Sequence, residues 1–297
     1  MIVTEGLTKA YGRLVALRDL SIEIKAGEVF GLLGPNGSGK TTTIRLLLGF
    51  LKPTRGRSRV DGLDCWRQSP DVRRRISYLP GEIRLMGQMR GIEILRFLSS
   101  LRGGAGFDRA TAIAEQVMKL DLRRRVRNYS TGMKQKLAVC QVFADPVDIV
   151  ILDEPTSALD PSARQDVLDL VMQAKSAGQT VIFSGHVLSE VEKVADRVAI
   201  MRRGMLMHVE DMHDRRGIRM VLARFESEIP ETPPESLELL LRERNGSVAL
   251  YEHRGSPGPL LDWLSRQGVT DIAIGTEDLK SLYDQYHGPN TPDEEFS

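Results

Sequence analysis

The chain has 297 residues, enough at roughly 150 residues per domain for two domains with real cores. Lys plus Arg numbers 41 against 40 Asp plus Glu, and this net charge of +1 gives no reason to expect nucleic acid as a partner. The two cysteines, Cys65 and Cys140, stand far apart with no C-x-x-C pair, which excludes a disulfide framework and a cysteine-held metal and leaves both thiols as small buried hydrophobes in a reducing compartment.

Met1-Ile2-Val3-Thr4-Glu5 lacks a basic stretch followed by an apolar one, so no secretory leader is expected, and no run approaches 18 apolar residues. Residues 1 to about 28 alternate apolar and polar positions, with breaks at Gly12 and Gly27, and predict short antiparallel strands. Val29-Phe30-Gly31-Leu32-Leu33 predicts a buried strand running into Gly34-Pro35-Asn36-Gly37-Ser38-Gly39, then a helix from Lys40 to Leu48. From about Ile83 to Phe143 the periodicity is helical, interrupted at Gly103-Gly104 and Asn128. Strands are predicted at Ile149–Leu152, Val181–Phe183 and Val198–Met201, with a helix at Ser162–Ala174 between the first two. This alternation implies a parallel sheet. Residues 204–218 are polar and poorly periodic. Beyond them, strands at Met220–Phe225, Val248–Tyr251 and Ile272–Ile274 and helices at Leu260–Gln267 and Glu277–Tyr286 form a separate small α+β unit. The expected domains are 1–217, with a helical subdomain at about 83–145, and 218–297, ending in a disordered acidic tail from Gly288.

Gly34-Pro35-Asn36-Gly37-Ser38-Gly39-Lys40-Thr41 satisfies G-x-x-x-x-G-K-[ST] in the required place between strand and helix. Glycines there let backbone N–H groups wrap phosphate oxygens, and the helix starting near Lys40 aims its positive end at them. Lys40 is expected to reach the β- and γ-phosphates, Thr41 to bind Mg²⁺ and Thr42 to bond the α-phosphate. A second element supports the first. The apolar run Ile149–Leu152 ends in Asp153 and Glu154, one carboxylate for the metal and one to polarise an attacking water. Arg73-Arg74-Arg75 and Arg123-Arg124-Arg125 read as solvated faces, and His208 and His213 as no metal site. Leu85, Met86 and Met89 suit an adaptable docking surface for a membrane partner, with at least one of them expected in a helix core.

Three further segments complete a pattern. Tyr129-Ser130-Thr131-Gly132-Met133-Lys134-Gln135-Lys136 precedes the acidic strand, Ser157-Ala158-Leu159-Asp160 follows Glu154, and Ser184-Gly185-His186 ends the next strand. Over residues 1 to about 215 the chain resembles ATP-binding cassette (ABC) proteins, and these segments resemble their signature, D-loop and switch histidine. Tyr11 matches the aromatic that stacks on adenine. Tyr129, Thr131 and Met133 depart from the usual Leu-Ser-Gly-Gly-Gln, while Ser130 and Gly132 remain, a form similar to ABC-2-type export subunits. Where such cassettes usually place a Gln after a strand like Ile76–Pro80, this chain has Gly81 and then Glu82: either Glu82 swings in as the oxygen donor to Mg²⁺ in the closed, metal-bound state, or the site is left to water and the loop signals by backbone movement alone.

The resemblance implies a P-loop NTPase cassette fold, mainly parallel sheet with antiparallel N-terminal strands and an inserted helical subdomain. It implies ATP and Mg²⁺ as ligands, and Ser130, Gly132, Asp160 and His186 acting at the γ-phosphate of a nucleotide shared with a second cassette. It also implies a transmembrane permease as partner and a cytoplasmic place on the inner face of the cell membrane. An importer ATPase, or a soluble cassette acting on ribosomes or DNA, are the alternatives. The 90 positions between Lys40 and Ser130 leave no room for the coiled coil of chromosome-type members.

Overall fold

The computed structural model describes residues 1–226, 229, 233–276 and 279–287. The tail from 288 and the first two residues of the helix expected at 277–286 lie outside the described residues. The chain divides into two compact units, Met1–Glu210 and Asp211–Ser297, a division ahead of the one expected at 217.

In the first unit six strands form one sheet in the order Met205–Asp211, Arg197–Arg202, Val29–Leu33, Thr180–Gly185, Ile149–Asp153 and Ile76–Leu79. The pairings from Arg197–Arg202 through Ile76–Leu79 are all parallel. Val29–Leu33, Thr180–Gly185 and Ile149–Asp153 are buried at every residue, which is why they read as continuous apolar runs rather than alternating ones. A second sheet pairs Leu14–Leu20, Ile2–Tyr11, Arg55–Val60 and Leu63–Asp64, with Glu23–Ile24 also on Ile2–Tyr11. Ile2, Leu7, Leu17, Phe30, Leu32, Ile44, Leu47, Ile151, Ile182 and Met201 belong to one buried core that includes the helix Lys40–Leu47. Register sets Leu33 beside Gly185 and Asp153 beside Ser184, so the carboxyl ends of the central strands meet at the glycine loop. That edge is where open α/β sheets bind ligands.

The helical subdomain fills residues 80–148, between strands Ile76–Leu79 and Ile149–Asp153, which are neighbours in the sheet. It holds the helices Gly91–Ser100, Phe107–Ala112 (continued by a π-turn, Ile113–Val117) and Thr131–Ala144. Ser77 Oγ donates to Asp145 Oδ2 at 2.8 Å and Arg102 donates to the Ile76 carbonyl at 2.7 Å, tying the insert to its root strand. The predicted helical run from Ile83 begins only at Gly91, where Glu93 accepts the Arg90 N–H at 2.7 Å. Leu85, Met86 and Met89 therefore lie on irregular backbone, correcting the expectation that one sits in a helix core, and Met86 is 45% exposed. Burial pushes the Cys65 thiol up to about 11 and the Cys140 thiol higher.

Residues 204–218, aperiodic in sequence, are mostly regular structure. They form the strand Met205–Asp211 and the short helix Met212–Arg216, whose His213 N–H is accepted by Asp211 Oδ1. The strand looked aperiodic because it lies at the sheet edge, half-buried on both faces. In the second unit an antiparallel sheet runs Leu239–Asn245, Val248–His253, Arg219–Phe225 and Val269–Thr276. Val221, Ala223, Phe225, Ala249 and Tyr251 pack against Leu260 and Leu264 of the helix Pro257–Ser265. A further helix spans Leu279–His287. The sequence reading missed the strand Leu239–Asn245, because Leu-Leu-Leu-Arg-Glu-Arg-Asn is an outer strand left mostly exposed. His253 in this unit is fully buried, and neither ring nitrogen has a hydrogen-bond partner. The fold class expected from sequence is the one observed: cassette sheet, antiparallel N-terminal strands, inserted helices and a separate α+β unit.

Candidate nucleotide site

The glycine loop is shaped by two close approaches. A Cβ on Gly34 would stand 2.4 Å from both the Met201 carbonyl and Ser38 Oγ, and Gly39 opens the helix at φ +106, a conformation that side chains disfavour. Asn36, Gly37, Ser38, Gly39, Lys40, Thr41 and Thr42 line a hollow of about 470 Å³. The first N–H groups of the helix Lys40–Leu47 have no intrahelical carbonyl, so they are donors available at this wall. Lys40 is 4% exposed and donates to the carbonyls of Gly34 at 2.7 Å and Pro35 at 3.2 Å. Burial holds its ammonium below the usual lysine range, against the opposing pull of Glu154 and Asp153. Ser38 Oγ is buried with no partner. A loop that strains its backbone and folds a cation across its mouth fits a polyphosphate.

Beside the loop, Asp153 is 2% exposed and divides its oxygens. Oδ2 accepts the Thr41 hydroxyl at 3.0 Å and Oδ1 accepts the Ser184 hydroxyl at 2.7 Å. Glu154 follows in the left-handed region at φ +51, its N–H bonded to Ser184 Oγ at 3.1 Å and the Ser184 carbonyl at 3.2 Å. That backbone turn brings Glu154 Oε1 to 3.7 Å from Lys40 Nζ and Oε2 to 3.7 Å from His186 Nδ1. Glycine loop, acidic strand end and histidine thus converge on one side chain. Leu14, Val15, Ala16 and Arg203 also line the hollow, and Ser184 underpins it. The sequence reading gave none of the five a role at the site, and the only signal for the role of Ser184 is a register that the chain alone does not display.

Other candidates stand elsewhere. Tyr11 ends its strand 46% exposed, with Lys9 Nζ 4.9 Å from the ring centroid. Ser130 caps the helix Thr131–Ala144 by accepting the Met133 N–H at 3.2 Å. A Cβ on Gly132 would stand 2.7 Å from the Ala158 carbonyl, and Gln135 donates to the Pro155 carbonyl at 2.8 Å, so this helix clasps the 155–158 segment. Asp160 caps the helix Pro161–Ser176 through Ala163, a hydrogen bond that holds its carboxyl below the usual range, with Lys136 3.5 Å away. Ser130, Gly132 and Asp160 do not line the hollow. Glu82 is 77% exposed on its loop and bound by Arg84 at 2.8 Å. The residue beside Asp153 is Gly81, where a Cβ would stand 3.7 Å from Asp153 Oδ2.

Residues 17–157 match the family model described as ABC transporter. The chain is 33% identical to the ABC transporter ATP-binding protein YxlF of Bacillus subtilis, covering 95% of this chain and 98% of that one. This chain belongs to the ABC transporter family. It is 36% identical to the daunorubicin/doxorubicin resistance ATP-binding protein DrrA of Streptomyces peucetius over 69% of this chain and 64% of that one. With an ABC transporter ATP-binding protein of Nostoc sp. it shares 33% identity over 70% of this chain and 65% of the relative, so it spans just under two thirds of the length of these two. Among solved structures, an ATP-binding subunit of an ABC transporter superposes with a TM-score of 0.66 and 27% identity over 73% of this chain and 92% of that one. Membership makes this an ATP-binding protein of the cassette fold. Among the described residues no helix is long and apolar enough to cross a membrane.

Proposed function

We propose that the chain hydrolyses ATP and that the hydrolysis powers export through a separate membrane permease, as in the ABC-2 class. The convergence of Lys40, His186 and Asp153 around Glu154 supports the chemistry most directly, and the resistance function in the name of DrrA supports the outward direction. Lys40 exchanges its loop carbonyls for the β- and γ-phosphate oxygens, and the glycine-loop N–H groups hold the same anion. Glu154, carried on a rigid turn, takes the proton of the attacking water. His186, half exposed next to Glu154, contacts the γ-phosphate and registers its departure.

Thr41 and Asp153 would hold Mg²⁺. This ion needs few protein oxygens when phosphates and water complete its shell, in keeping with the absence of any three-residue His, Cys, Asp or Glu cluster among the described residues. When bound it supplies charge neutralisation at the phosphates. Ser130 and Gly132 serve the nucleotide of a second cassette, since on their own chain they stand apart from the hollow. Tyr11 stacks on the base. A cleft of about 340 Å³ lined by Phe50, Tyr78, Pro80, Leu85, Leu98 and Leu101 is the seat for the permease, with the cassette on the inner face of the membrane. Asp211–Ser297 is an accessory unit that supports cassette pairing.

The deciding experiment is Glu154→Gln. Its amide holds the water and cannot take the proton, so ATPase activity should fall by about 10²–10⁴ while ATP binding persists. Near-normal turnover would remove Glu154 as the base.

A further inference from the structure

The strand Arg55–Val60 and the turn after Leu63–Asp64 border a second groove, of about 480 Å³, whose lining includes Lys52, Arg57, Arg59, Asp64, Trp66 and Arg67. Asp64 is committed inward: its Oδ1 accepts the N–H groups of Trp66 at 3.0 Å and Arg67 at 2.8 Å. That turn leaves the indole of Trp66 42% exposed. Glu5 is within ion-pair distance of Arg57 and, at 3.9 Å, of Arg59, while among the described residues no carboxylate pairs with Lys52 or Arg67. A chain with a net charge of only +1 has therefore gathered four cations around one groove.

The groove runs toward a second exposed ring. Gly49, at φ +65, lies so close to the next segment that a Cβ there would stand 2.2 Å from the Cys65 carbonyl. The contact brings Phe50, 51% exposed, into the neighbourhood of Trp66. Phe50 lines the cleft assigned above to the permease, and Lys52, two residues on, lines the cationic groove.

We propose that this surface, Trp66 amid Lys52, Arg57, Arg59 and Arg67, rests on the anionic headgroups of the bilayer beside the permease. Indole rings settle at headgroup depth, and long cationic side chains reach phosphates while their stems stay on apolar surface. Each Lys or Arg close to an anionic leaflet strengthens binding about fivefold, the equivalent of about 1 kcal/mol. The lipid assignment rests on the permease reading, because the layer next to a permease's inner-face segment is the headgroup layer. An acidic protein segment would satisfy the cations equally, but it gives no reason for an exposed indole among them.

The test is co-sedimentation of the full chain with phosphatidylcholine vesicles, with and without phosphatidylglycerol, at low and high salt. The chain should bind the anionic vesicles, release from them at high salt and ignore the neutral ones. Lys52→Ala with Arg67→Ala should weaken anionic-vesicle binding roughly 25-fold, two fivefold steps multiplied. Trp66→Ala should weaken it further, and ATPase activity should not change in any of these variants. Equal affinity for both vesicle types, or binding untouched by the double substitution, overturns the lipid surface. So does failure of the wild type to bind vesicles while the double variant loses the permease, which makes the patch a protein contact. Because ATPase activity is measured on the same samples, an inactive wild type would instead indict the transport reading.

Discussion

Ser184→Ala isolates the one hydroxyl that bonds both the Asp153 carboxylate and the Glu154 backbone. Ser184 is fully buried, donates to Asp153 Oδ1 at 2.7 Å and accepts the Glu154 N–H at 3.1 Å. The substitution removes one oxygen and leaves Asp153 Oδ1 without its donor in a residue only 2% exposed. A buried hydrogen bond to a charged group is worth about 1.5–3 kcal/mol, and water has little access to replace it. Glu154 N–H keeps the Ser184 carbonyl at 3.2 Å, so the left-handed turn survives. The loss should therefore fall on the orientation of Asp153. Urea unfolding should register about 1.5–3 kcal/mol of lost stability. Titration of a fluorescent ATP analogue should show the Mg²⁺ half-saturation rising about tenfold, the equivalent of about 1.4 kcal/mol, with Mg²⁺-free nucleotide affinity unchanged. Ser184→Thr, which keeps the hydroxyl, should restore much of the difference. A stability loss with an unaltered Mg²⁺ response would reduce Ser184 to packing. No change in either quantity would refute the reasoning.

The second unit should be acid-sensitive. Burial, then the Arg219 guanidinium, lowers the His253 imidazole below its ordinary value of 6.5, with Glu238 opposing. Above pH 6.5 folded and unfolded chains both carry it neutral; as pH falls below that value the unfolded chain takes the proton first, and stability declines until the folded pKa is passed. Near-ultraviolet circular dichroism of Tyr251 and Trp263, whose ring centroids lie 6.4 Å apart, should follow this decline, and His253→Leu should flatten it. A chain ending at Glu210 keeps the whole hollow and its own core, so it should bind ATP normally and pair less readily, as read by equilibrium sedimentation. Cys65 and Cys140, buried and with raised pKa, should resist a maleimide in the native protein and react together on unfolding, which mass spectrometry would resolve.

The parts of the site that were legible in the sequence are those whose chemistry is contiguous. The glycine loop carries strand, turn and helix signals within a dozen residues, and the acidic strand announces itself by ending an apolar run in two carboxylates. Ser184 is a different case: nothing in Ser-Gly-His says that the serine faces Asp153, because that fact belongs to the register between two strands about thirty residues apart. Leu14, Val15, Ala16 and Arg203 reach the hollow from edges of the fold, where alternation is weak. The edge strands Met205–Asp211 and Leu239–Asn245 failed for the same reason, since a strand without a buried face has no period to display. At Glu82 the sequence does not say which partner the carboxylate takes, and on its exposed loop it pairs with Arg84 two residues on.

The insert spanning residues 80–148 leaves the sheet from one strand and returns on the strand beside it. Because those strands run parallel, the insert departs at the carboxyl end of one and rejoins at the amino end of the other, so its two roots stand about 10 Å apart along the sheet. The ties from Ser77 to Asp145 and from Arg102 to Ile76 stiffen the returning root. The departing root passes where Gly81 abuts Asp153. A body anchored at two separated points resists twisting, and a shift of its departing root is felt first at the Asp153 carboxylate.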